Sequence, residues 1–202
     1  SNRQSSRCPL ERDHPLAVRD VGCEPAELPW SDADAEPARS AMSALDQAFV
    51  ALAQANPTLR VRVGNPDELR SNGMVGTLEH FRHRVVAPEA NVPEAIDGAV
   101  ITALNEEAVV CAALANKAGL NAVVSYEAFA VKMLGAMRQE LNLARGQARA
   151  GRPPRWVSVP IVVSSHTWEN GKNELSHQDP TLCEAWMAEP PDRARVVFPV
   201  DW

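Results

Sequence analysis

Four stretches of the 202-residue sequence carry side chains able to do chemistry. Glu106 follows Asn105 at the point where the apolar run Val100 to Leu104 gives way to an Ala-rich stretch. Asn105 is a good helix N-cap, and Glu106 and Glu107 then fill a first turn where the helix dipole favours negative charge. A carboxylate in that place needs no further reason, unless rings and polar loops meet it at the same edge. Tyr126 and Phe129 supply rings at the end of a second apolar stretch. The connection from Ser164 to Asp179 supplies His166, His177 and Lys172 among amides and hydroxyls. Histidine transfers protons near neutral pH, and lysine offers a phosphate contact. Long polar connections of this kind are functional or disordered, and Trp168 with the sharp Asp179-Pro180 helix start argues against disorder. A fourth group, Asp67, Ser71 and Asn72, lies in the loop after Gly64 and would face the same edge.

The elements that must position these groups are legible from periodicity. Ser40 caps a helix to about Ala55, in which Met42, Leu45, Phe49 and Leu52 make one apolar face. Leu59, Val61 and Val63 alternate with Arg60 and Arg62 as a short strand. Residues 74–86 are expected to form a helix with Leu78 and Phe81 inward, which places His80 and His83 three apart on it. Two histidines without a third ligand at matching spacing read as a solvated face, not a metal site. Residues 87–98 read as a loop and Val100 to Leu104 as a buried strand. The helix after Asn105 is expected to stop at a left-handed Gly119.

Ala122 to Val124 form the next strand, which delivers Tyr126 and Phe129 at its carboxyl end. A long helix follows with Met133, Met137 and Leu141 on one stripe, up to a turn at residues 151–154. Residues 156–163 read as a buried strand made irregular by Pro160. Asp179-Pro180 opens a short helix, and Arg195 to Phe198 reads as a last strand. Strand and helix alternate throughout, which predicts an α/β fold: a parallel, doubly wound sheet with helices on both faces. Such folds place ligands at the carboxyl ends of their strands. A close on a strand near Trp202 predicts a fold incomplete at its C-terminus. Residues 1–39, rich in Pro, Asp, Glu and Arg, read as an extended arm before a domain over 40–202.

Composition narrows the function classes. A net charge of −6 leaves no basic footprint for nucleic acid or an anionic membrane. No apolar stretch is long enough for a membrane helix. Residues 1–12 are polar and show no secretory leader. The four cysteines are scattered, which suggests the reduced thiols of a cytoplasmic protein. There is no P-loop, GxGxxG, GxSxG or HExxH. The one Asp-Gly pair, Asp97-Gly98, follows Ile96, so a Gly-Asp-Gly motif for diphosphate and magnesium is absent.

Taken together, four pieces resemble the central, pyrimidine-binding domain of phosphoketolases and, more distantly, of transketolases. They are Asn-Pro-Asp-Glu at 65–68 with Ser71-Asn72, Asn-Glu-Glu at 105–107, and Ser-Tyr-Glu-Ala-Phe at 125–129. The fourth and most specific is Ser-His-Thr-Trp at 165–168 followed by Ser-His-Gln-Asp-Pro at 176–180. Both families use thiamine diphosphate. The resemblance implies that Glu106 hydrogen-bonds the cofactor's aminopyrimidine and so promotes deprotonation of its thiazolium carbon. Tyr126 and Phe129 would line the pyrimidine and Asp67 would approach the cofactor. His166 and His177 would act as general acid–base groups or oxyanion donors, and Ser71, Asn72, Lys172 and His177 would contact a sugar phosphate.

Diphosphate and Mg2+ would fall mainly to a partner chain, in a dimer or hetero-oligomer. Lys172 stands where the family carries a histidine, and Gly73 where an arginine is expected. Phosphorolytic cleavage and transfer of a two-carbon ketol unit therefore both stay open. Two other readings compete. One is a non-catalytic scaffold derived from this domain, and the other a metal hydrolase built on His80, His83, His166 and His177.

Overall fold

Ser40 starts the first helix as its sequence requires. Its Oγ accepts the Met42 N–H at 3.3 Å, and α1 runs over Ala41–Ala55 with Ala44, Phe49 and Ala53 turned into the core. This is a computed structural model, which describes residues 40–67, 69–117, 119–151, 159–164, 176–191 and 193–198. The expected arm over 1–39, His166, Lys172 and residues 156–158 of the strand expected at 156–163 lie outside the described residues. After α1 come β1 (Val61–Asn65), α2 (Val75–Phe81), β2 (His83–Arg84), β3 (Glu94–Ala95) and β4 (Val100–Thr102). Then follow α3 (Glu106–Leu114), β5 (Leu120–Tyr126), α4 (Glu127–Ala130) and, after a 3-10 turn at Val131–Met133, α5 (Leu134–Arg149). The edge strand β6 (Ile161–Ser164) and α6 (Thr181–Met187) complete the set.

The six strands lie in the order β3-β2-β4-β1-β5-β6, and every pairing is parallel. Alternation along β5 shows why helices cover both faces. Ala122 and Val124 pack with Phe49 of α1, Leu78 of α2 and Val63 of β1, whereas Val123 packs with Val109 and Val110 of α3 and with Met133 and Ala136. The α/β class with a doubly wound parallel sheet is therefore as expected. Gly64 lets α3 sit close on β1, because a Cβ there would come 2.9 Å from the Val109 carbonyl oxygen. No helix among the described residues is long and apolar enough to cross a membrane.

Five expectations need correction. The helix expected over 74–86 ends at Phe81, where Arg82 takes a positive φ of 56°, so His80 sits on α2 and His83 on β2. Residues 87–98, expected as loop, contain the two-residue strand β3. The strand at 100 stops at Thr102, and Leu104 is 85% exposed. Helix α3 ends at Leu114 and Gly119 has no positive φ. Glycine is required at 119 by a close approach instead, since a Cβ would fall 2.0 Å from the Arg60 carbonyl oxygen. Finally, residues 195–198 are not a strand; among the described residues no strand pairs with them, and Val197 is 76% exposed.

Two charged contacts tie elements together in ways the sequence did not announce. Helix α2 has no side-chain cap of its own, and Asp46 on α1 supplies one. Its carboxylate accepts the N–H groups of Gly76 and Thr77 at 2.8 and 2.7 Å. Beyond α6, the Glu189 carboxylate lies 2.5 Å from Arg145 and 3.7 Å from Arg138, both on α5.

Candidate functional site

The carboxyl ends of β4, β1 and β5 form one edge, and most of the expected residues gather there. Asn105 caps α3 as its type predicts, with Oδ1 accepting the Ala108 N–H at 2.9 Å. Glu106 then opens the helix and is buried, with 7% of its surface exposed. Its Oε2 lies 3.3 Å from the Lys132 ammonium, and that same ammonium stands 5.5 Å from the centre of the Phe129 ring. A single cation thus joins the buried carboxylate to the aromatic side of the site. Lys132 was not singled out in the sequence. Its position, six residues after Tyr126 in the turn leading to α5, brings its chain back across the start of α3.

At the end of β5 three rings meet edge to face. Tyr126 and Phe129 are 6.3 Å apart between centres, and the His177 imidazole lies 4.8 Å from Tyr126 and 5.1 Å from Phe129. Such edge contacts suit the ring quadrupoles. The Tyr126 hydroxyl donates to Ser71 Oγ at 3.0 Å, so the loop after β1 reaches the same place. His177 Nδ1 lies 2.6 Å from Ser176 Oγ. Asn72 is buried beside Ser71. Gly73 takes φ of +75°, a conformation that an arginine would strain, so glycine there answers to the backbone.

The start of α4 holds the His177 segment in place. The Ala128 N–H, one of the orphan donors of a helix start, bonds the His177 carbonyl at 3.0 Å. The Glu127 carboxylate accepts the Asp179 N–H at 3.0 Å. Asp179 Oδ1 accepts in turn from the Thr181 N–H at 2.9 Å and from the Thr181 hydroxyl, and these bonds hold its carboxyl below the usual range. The short helix therefore begins one residue later than the Asp-Pro rule suggests, at Thr181. Glu127 is the residue that sequence reasoning missed. The available signal was a charged side chain at the junction of an apolar strand and an apolar helix.

The other half of the edge is different. Asn65 accepts the Leu69 N–H at 3.0 Å and donates to Thr102 Oγ1 at 3.1 Å, and His83 Nδ1 lies 2.7 Å from the same hydroxyl. Burial, the largest cause, and the nearby Arg70 charge push the His83 imidazole down, while Glu94 and Asp67 pull it up. Asp67 is exposed and lies on this side, within electrostatic reach of His83. His80 is exposed and packs on Phe81 at 4.7 Å. Among the described residues no group of three or more His, Cys, Asp or Glu could hold a metal.

A buried carboxylate, two adjacent rings, an imidazole and a hydroxyl thus gather at the carboxyl end of the sheet. The family model for D-xylulose 5-phosphate/D-fructose 6-phosphate phosphoketolase matches residues 43–202. The chain belongs to the phosphoketolase family. It is 30% identical over 147 residues to a probable phosphoketolase of Schizosaccharomyces pombe, an overlap covering 70% of this chain and 17% of that protein. A probable phosphoketolase of Brucella abortus shares 28% over 152 residues, covering 69% of this chain and 18% of the relative. One from Nocardia farcinica shares 30% over 143 residues, covering 67% and 17%. The chain thus spans under a fifth of the length of these phosphoketolases.

Proposed function

We propose that residues 40–202 form the pyrimidine-binding domain of a thiamine-diphosphate enzyme that cleaves or transfers the two-carbon ketol unit of a ketose phosphate. A second domain or chain in the assembly would hold the diphosphate and Mg2+. The observation that carries this reading is the burial of Glu106 at the start of α3, sharing Lys132 with the Phe129 ring. The residues fit an aminopyrimidine: a carboxylate for a ring nitrogen, and the Tyr126 and Phe129 rings to flank it. When bound, thiamine diphosphate supplies the carbanion-stabilising chemistry.

In this reading Glu106 exchanges Lys132 for the heterocycle and holds a proton at its carboxylate oxygen. Phe129 and Tyr126 exclude water around that contact. His177, and His166 from the preceding connection, move protons at their imidazole nitrogens to or from substrate hydroxyls. Ser71 and Asn72 orient substrate, Lys172 attracts its phosphate, and Asp67 serves the cofactor side.

The test is to purify the chain with the product of the neighbouring reading frame and supply thiamine diphosphate, Mg2+ and xylulose 5-phosphate. Acetyl phosphate formed in the presence of inorganic phosphate marks cleavage; with an aldose phosphate added as acceptor, a ketose phosphate two carbons longer than that acceptor marks transfer. Glu106→Gln should lower either rate by about 100-fold or more, in line with the loss of a proton-handling group. Turnover unaffected by that change sinks the reading. The Lys132–Glu106 ion pair also favours a second reading, a scaffold whose carboxylate is already satisfied. A complex that forms yet binds no thiamine diphosphate selects it.

A further inference from the structure

Glu127 is fully buried, at 0% exposure, and the reading above gives it no task. An isolated carboxylate in that position would cost several kcal/mol of desolvation, so it must answer to local donors. Its place in the first turn of α4 supplies the helix dipole. Its Oε2 accepts the Asp179 N–H at 3.0 Å, and its neighbour Ala128 donates to the His177 carbonyl at 3.0 Å. Two consecutive residues of α4 therefore grip the backbone on either side of Gln178. The Cys183 thiol of α6 lies within electrostatic reach of the same carboxylate. Burial, and then the Glu127 charge, push that thiol up, so it stays neutral beside the carboxylate.

We propose that Glu127 is a positioning residue, whose buried carboxylate clamps residues 177–179 so that the His177 imidazole stands between Tyr126 and Phe129. A carboxylate suits the task because both of its oxygens only accept. The consequence for turnover rests on the function proposed above. The clamp itself does not, and it is measurable on the chain alone.

The measurement is the NMR signature of the His177 ring, assigned by substitution of His177. Ring currents from two rings at 4.8 and 5.1 Å displace its carbon-bound protons from free-imidazole positions. Glu127→Met fills the space without an acceptor, and Glu127→Gln keeps one. The expected result is loss of more than half of the displacement in E127M and its retention in E127Q, with the Val109, Val110 and Val123 methyl signals unchanged in both. An unmoved His177 signature in a folded E127M overturns the clamp. Should E127M fail to fold, amide exchange decides: Asp179 N–H should exchange slowly in the unaltered chain and in E127Q, and fast exchange in the unaltered chain overturns it. A working clamp without ketose-phosphate turnover in the complex counts against the proposed function alone.

Discussion

The two halves of the sheet edge are built from similar polar residues and put to opposite ends. On one half, Asn65, Thr102 and His83 spend their hydrogen-bonding capacity on each other and on the Leu69 backbone. On the other, Glu106 and Lys132 face each other as charges beside a half-buried ring cluster. The first half is a knot of bonds that fixes three strands and a loop. The second holds charges and rings, and in the function proposed above their partners give way to a ligand's. Position at the carboxyl ends of parallel strands does not by itself distinguish structure from chemistry. What distinguishes them here is what is brought together: an amide, a hydroxyl and an imidazole hydrogen-bonded on one half, a charge pair beside rings on the other.

The contrast can be broken at either half. The largest effect is expected from Glu106→Gln in the complete assembly: about 100-fold or more in turnover, with a melting temperature nearly unchanged, because the ion partner Lys132 is itself exposed. Asn65→Ala should do the reverse. Stripping the buried Leu69 N–H of its acceptor should cost about 2 kcal/mol, read as a fall of roughly 4–8 °C in thermal midpoint. If Asn65→Ala instead leaves stability intact, the knot is not structural.

Tyr126→Phe removes one exposed hydroxyl bond to Ser71 and should cost only about 0.5 kcal/mol, with the His177 ring contacts kept. The smallest effect concerns pH. The folded state lowers the His83 value from its ordinary 6.5, so the unfolded chain takes up the proton first as pH falls. Stability is then fully present above about 6.5 and declines as pH drops through and below that value. Chemical denaturation at about pH 7.5 and about pH 5.5 should show a drop of a few tenths of a kcal/mol, given the partial exposure of the ring, and His83→Gln should flatten it.

Much of this was legible in the sequence where one residue's type sufficed. Ser40 and Asn105 announce helix starts through their own side chains, and the alternation at 59–63 announces β1. The ring pair Tyr126–Phe129 was legible because it follows an apolar strand directly. Other features depended on partners distant in the chain. Strands β2 and β3 have two residues each, too few for any period, and exist because β4 offers an edge to β2 and β2 in turn offers one to β3. Asp46 caps a helix thirty residues away. Arg195 to Phe198 has strand-forming residues, yet propensity without a neighbour made no strand. Glu127 was hidden inside a segment whose aromatic flanks drew the attention, and its meaning came only with Asp179 beside it. For His166 and Lys172, which lie outside the described residues, the sequence remains the source of the expectation.

Glu189 gives the tail of α6 a sensitivity to its surroundings that the ring cluster does not share. The stretch from residue 176 to 189 is fastened at its front by a hydrogen bond to a carboxylate sealed from solvent, and at its rear by Glu189 pairing with two guanidinium groups that are partly open to it. Dissolved ions weaken the second fastening far more than the first. Raising salt should therefore loosen α6 from its tail end while the imidazole at its head keeps its seat.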